Sequence, residues 1–199
     1  VGLYVSRDTV DLAVLKSGLG GPRLIKFGQT DIYPKEARHS GEIIPEAQAG
    51  NVRAANEDLS EKTKTKEEYT VEAIKRVFRE NNVKPGDVVT AIPSEETMVR
   101  YFQMPKIPKQ ERAAAVNFEA KRYIPFRMEE VVSDFQVLPS KITQHGMDVV
   151  FVAVKKNTIE QYLDILLAAG VKPMIIESAP FSLMRAFNAA QQIDTKVNT

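Results

Sequence analysis

The sequence predicts an α/β fold in which a small α+β lobe interrupts a larger sheet domain. Three observations carry this. Strand patterns at residues 1–6, 9–16 and 23–32 come before any helix. Residues 87–93 (DVVTAIP) are short, apolar and β-branched, the composition of a buried parallel strand. Between Pro93 and Asn157 the chain reads strand, helix, strand, strand, and then returns to helix, strand, helix.

Each element has its own signal. Val10, Leu12 and Val14 alternate with Asp11, so residues 9–16 read as a strand. With residues 1–6 and the Arg7-Asp8 turn it forms a hairpin, and the glycine-rich turn at 18–22 leads to the third strand. Between Tyr33 and Tyr69 there is no aromatic residue, and Glu, Lys, Ala, Asn and Thr dominate. That stretch buries too little to offset its ordering entropy and is expected to be a mobile surface insertion. Residues 67–81 are expected to be helical, with Val71, Ile74, Val77 and Phe78 on one face. Pro85-Gly86 then turns the chain into the 87–93 strand.

A further strand is expected at 97–104, stopped by Pro105. Pro108 opens a helix to about Tyr123, with Ala113, Val116, Ala120 and Tyr123 aligned and Pro125 as its stop. Strands follow at 133–138 and 148–154, joined by the polar turn 140–146. Asn157 and Glu160 have capping-box spacing, and Ile159, Tyr162, Leu163, Leu166 and Leu167 mark the buried face of the helix behind them. Gly170 stands at its C′ position. A short strand at 174–177 leads to Ser178, read as the cap of a helix through Ala190 with Phe181, Met184 and Phe187 aligned. The tail 193–199 is expected to fray.

Composition narrows the function. A length of 199 residues fits one domain or two small ones, and 43% hydrophobic residues can supply a core. The net charge of +1 gives no broad field for nucleic acid or anionic lipid. There is no cysteine, which excludes disulfides and thiolate metal sites and fits a reducing compartment. His39 and His145 lie in polar surroundings with no second ligand at metal spacing, so no metal site is expected. No run of about 18 apolar residues spans a membrane, and the start has no signal-type core, so the chain is expected to be cytoplasmic. The motifs GxxxxGK[ST], GxSxG and HExxH do not occur.

One string names a family. Phe118-Glu-Ala-Lys-Arg-Tyr-Ile-Pro-Phe126, followed by Ser133-Asp-Phe-Gln-Val-Leu138, resembles the signature of PilM-type pilus assembly proteins. These are relatives of FtsA on the actin-like ATPase fold. The strand ending Val-Thr-Ala-Ile-Pro-Ser94 and the run from Ala169 to Pro180 extend the resemblance on both sides. It implies the first half of that fold: a ribonuclease H-like 1A region at 1–95 and 156–192, with the 33–69 insertion, and an inserted 1C-like lobe at 96–155.

In such relatives the first hairpin cradles phosphate, through an aspartate that holds the water shell of Mg²⁺ and a glycine that lets backbone amides approach. Here Tyr4 stands at the aspartate position and Ser6 at the glycine position. Asp11 puts a negative charge where many relatives have lysine. Glu177 matches an acidic position that can serve the metal or the attacking water. The resemblance therefore implies a nucleotide-binding remnant at Tyr4, Ser6, Asp11 and Glu177, with ATP and Mg²⁺ expected only in complete family members. No catalysis is expected from this chain.

The function implied is a cytoplasmic scaffold of the type IV pilus inner-membrane platform. It would bind the N-terminal peptide of a PilN-like bitopic membrane protein, and help couple the envelope complex to a cytoplasmic motor ATPase. Met104, Pro105, Lys121, Arg122, Tyr123, Ile124, Pro125 and Phe126 are the candidates for the partner groove. Two alternatives stand beside this reading. One is the cytoplasmic part of a type II secretion platform protein. The other is an actin-like nucleotide-dependent protein whose second half is missing.

Overall fold

A computed structural model describes residues 1–18, 21–33, 64–138 and 146–197, with the side chains of 190–197 left aside. The expectations for His39, His145, most of the 33–69 insertion and the 140–145 turn lie outside these residues. The fold is mixed α/β. A five-stranded sheet runs in the order β3-β2-β1-β4-β8 and a three-stranded sheet in the order β5-β7-β6.

The strands are β1 (Gly2–Val5), β2 (Thr9–Lys16), β3 (Arg23–Asp31), β4 (Asp87–Ile92), β5 (Met98–Pro105), β6 (Val131–Leu138), β7 (Gly146–Lys155) and β8 (Lys172–Ser178). The helices are α1 (Lys66–Glu80), α2 (Arg112–Ala120), α3 (Lys156–Ala168) and α4 (Ala179–Val197). Two compact units result: residues 1–90 with 164–175, and residues 91–163 with 176–199. The 96–155 segment expected as a lobe falls inside the second unit, which also takes in the end of β4, most of α3, the end of β8 and α4.

In the first unit, β1, β2 and β3 form an antiparallel meander, with Leu3 opposite Leu12 and Val5 opposite Val10. These four side chains are buried, and Ala73, Ile74, Val77 and Phe78 of α1 are buried with them. Strand alternation puts one face of the hairpin in the core, and helical spacing supplies the cover. Val71 is only half-buried; Thr70 takes a core-side position, its hydroxyl bonded to the Lys66 carbonyl at 2.8 Å. Thr65 and Glu68 form a reciprocal capping box that starts α1. Asn81 closes it, with Nδ2 donating to the Val77 carbonyl at 2.8 Å. That side chain lies so close to β3 that a Cβ on Gly28 would sit 2.0 Å from Nδ2.

The second unit is built on β7, the middle strand of its sheet. Phe102, Met104, Val116, Ala120, Ile124, Val149 and Phe151 are among the buried residues of one core under α2. The expected strands from 97 to 154 all form, and β5 pairs with β7 in the three-stranded sheet.

Local expectations differ in several places. The 108–123 helix is shorter, because residues 109–111 form turns before α2; Ala113 is exposed while Val116 and Ala120 are buried. Helix α3 begins at Lys156, so Asn157 lies inside it and not at its cap. Its buried positions are Tyr162 and Leu166, whereas Leu167 is exposed. Ser178 does not cap α4: its hydroxyl is buried with no hydrogen-bond partner. Helix α4 runs on to Val197, beyond the expected fraying point. Gly170 has a φ of 78°, the left-handed conformation expected after a helix.

Candidate functional site

A cavity of about 710 Å³ opens in the second unit. Its origin lies in β7. Met147, Val149, Phe151 and Ala153 of this strand face the α2 core, yet the alternate set Val150, Val152 and Val154 is also apolar. A strand apolar on both faces needs a cover on each. Helix α2 covers the first face. The second face, together with Val132, Asp134 and Gln136 of β6, lines the cavity. Ile92, Ile159, Ile176, Phe181 and Met184 add to the apolar lining.

The polar groups are few. The Glu177 carboxylate accepts from the Ser182 hydroxyl at 2.6 Å and pairs with the Arg185 guanidinium. Asp134 accepts from the Phe135 amide at 2.8 Å and is otherwise exposed. The β6 wall has a further property. Among the described residues it is the end strand of its sheet, so alternate main-chain N–H and C=O groups point away from β7. Apolar pockets beside an open strand edge are suited to an extended peptide.

The partner-groove candidates from the sequence lie elsewhere on this unit. Met104 and Ile124 are core residues. Tyr123 stacks on Phe102 with ring centroids 5.1 Å apart. Phe126 packs partly against the same core, with the Lys155 ammonium 4.3 Å from its ring centroid. Pro105, Lys121, Arg122 and Pro125 are exposed. None of the eight lines the 710 Å³ cavity. The reason is strand alternation: Met104 shares the α2 side of β5, and the cavity uses the other side of the sheet. The cavity's own residues were legible only in the doubly apolar pattern of β7.

The nucleotide-site positions divide between the units. Tyr4 and Asp11 are register partners on β1 and β2. Gln29 Nε2 donates to Asp11 at 2.6 Å. Ser6 fills the hairpin turn. Its Oγ accepts the Thr9 amide at 3.0 Å and the Asp8 amide at 3.4 Å, and lies 2.9 Å from the Thr9 hydroxyl. Amides that a glycine at this position would leave open are thus taken by the chain's own hydroxyl. Glu177 belongs to the second unit. Among the described residues no group of three His, Asp or Glu could hold a metal, and no helix is long and apolar enough to cross a membrane.

A family model described as type IV pilus assembly protein PilM matches residues 40–197. Among solved structures, the PilM–PilN type IV pilus biogenesis complex is similar at a TM-score of 0.68 and 24% identity, covering 95% of this chain and 50% of that one. The cytoplasmic domain of EpsL, an inner membrane component of the type II secretion system of Vibrio cholerae, is similar at a TM-score of 0.50 and 14% identity. That match covers 89% of this chain and 56% of the other. No curated protein matches the sequence. At these identities the structures show a shared fold, and the chain spans about half the length of its structural relatives.

Proposed function

Because the chain belongs to the type IV pilus assembly protein PilM family, we propose that it is a non-catalytic scaffold that captures the N-terminal peptide of a PilN-like bitopic membrane protein in the cavity beside β6. The observation that carries this is the cavity wall itself: an open strand edge flanked by the apolar side chains Val132, Val150, Val152 and Val154. An extended peptide gains main-chain hydrogen bonds from such an edge, and alternate side chains select their pockets. The similarity to a structure of PilM with PilN supports the identity of the partner. A place on the cytoplasmic side of the inner membrane follows from that partner, and coupling to a motor ATPase belongs to the same reading.

Catalysis is not part of the proposal. Tyr4 and Ser6 replace the aspartate and glycine of nucleotide-binding relatives, and the Ser6 hydroxyl engages the turn amides.

The likeness to the EpsL cytoplasmic domain favours one second reading, a platform role in type II secretion. One experiment tests the partner site and separates the pathways. The chain is titrated with N-terminal peptides of a PilN-like protein and of type II secretion platform proteins, with amide chemical shifts as readout. The expected result is shifts at residues 132–136 and 150–154 with the PilN-type peptide alone. Shifts confined to other residues, or none, would overturn the site; shifts with the secretion peptide alone would transfer the chain to that pathway.

A further inference from the structure

Helix α2 presents a second feature, on the side of the unit's core opposite to its buried residues. Val116 and Ala120 face the core. Phe118 lies half a turn away and is 72% exposed, the fraction expected of a residue pointing outward. Lys121 and Arg122 lie in the turn that ends α2, three and four positions after Phe118, and both are exposed. Arg122 holds one ion pair, with Glu119 at 3.0 Å. The surrounding segment is strongly basic. Residues 106–127 contain six Lys or Arg and two Glu, a net +4 in a chain whose total is +1. The remainder of the protein is therefore net negative, and Lys121 and Arg122 are the exposed cations of this segment that follow Phe118 most closely.

An aromatic side chain among cations on a convex helix surface suits the interface of an anionic bilayer, where the ring enters the headgroup layer and the cations meet phosphates. We propose that the outward face of α2 at Phe118, together with Lys121 and Arg122 of the turn that ends the helix, makes direct contact with an anionic lipid surface. The inference rests on the partner-capture reading, which puts the chain beside a membrane. It adds a second point of attachment. One nine-residue helix gives weak contact by itself, but a chain already held by a membrane-anchored peptide meets the lipid at high effective concentration.

The protein has no tryptophan, so Phe118→Trp creates a single reporter at the contact. Its emission is followed on vesicles of phosphatidylcholine alone and of phosphatidylcholine with phosphatidylglycerol, at low salt. The expected result is a blue shift on the anionic vesicles only, reversed by high salt. In the same background Lys121→Glu with Arg122→Glu should weaken vesicle binding by more than about 25-fold. The control Lys84→Glu, an exposed lysine of the first unit, should bind as the parent does. Absence of a shift on anionic vesicles, or equal loss in the Lys84 control, overturns the lipid contact; the first result would leave the face to an acidic protein surface. The partner reading fails separately. Val132→Asp, in the cavity wall, should abolish peptide capture and leave the vesicle shift intact, while Lys121→Glu with Arg122→Glu should capture the peptide normally in the absence of lipid.

Discussion

Gly28 shows how a single residue can be fixed by a neighbour that is remote in sequence. A methyl group there would collide with the Asn81 amide, which is already committed to the Val77 carbonyl. Gly28→Ala should cost about 1–3 kcal/mol, from overpacking and the loss of that hydrogen bond. Chemical denaturation measures the loss. Combining it with Asn81→Ala should recover part of it, because two contacting residues do not add. Nothing around Gly28 in the sequence announces this, since the requirement comes from the end of α1. Tyr4, Ser6 and Asp11, by contrast, were legible as departures from a motif, and the hairpin that holds them forms where the alternation put it. What could not be read was that the Ser6 side chain would turn inward onto the turn amides.

Elements were legible where one periodicity dominated. β2 keeps its expected bounds and β4 differs from its reading by one residue. Ends were less legible, because capping depends on local hydrogen bonds that several spacings can mimic. Thr65 and Glu68 form a true capping box, while the Asn157 and Glu160 pattern lies inside α3. Thr65→Ala should therefore lower stability by about 1 kcal/mol in thermal or chemical unfolding. A second prediction concerns the turn before β6. The Arg127 side chain hydrogen-bonds Glu130 and holds its carboxyl below the ordinary value. A depressed folded-state pKa means the stabilisation is present above the unfolded pKa and is lost as pH falls through the folded one. Both groups are exposed, so the effect on stability is small. In an NMR titration of Arg127→Gln the Glu130 midpoint should rise toward the usual range.

At the scale of the whole molecule, the mixed α/β fold and its family were legible from one signature and the order of elements. The cavity was not, because its lining is drawn from six elements and no one of them carries a motif. Leu183, Met184 and Phe187 form an exposed apolar stripe along α4. Leu183→Glu with Phe187→Glu should raise the solubility of this chain, read by light scattering, and leave the melting temperature within about 2 °C.

The Ser6 turn has a consequence for how the cell would hold this protein. Ligands that bind only the folded state stabilise it by mass action, by about 2.7 kcal/mol at a hundred times the dissociation constant. In a chain of this size that is a rise of roughly 5–10 °C. On the proposed non-catalytic reading, a turn already satisfied by its own hydroxyl would forgo this linkage. Melting curves with and without millimolar ATP and Mg²⁺ should therefore coincide to about 1 °C, and a clear rise would reopen the nucleotide site. If they coincide, the folded population of this chain is insulated from the energy charge of the cell.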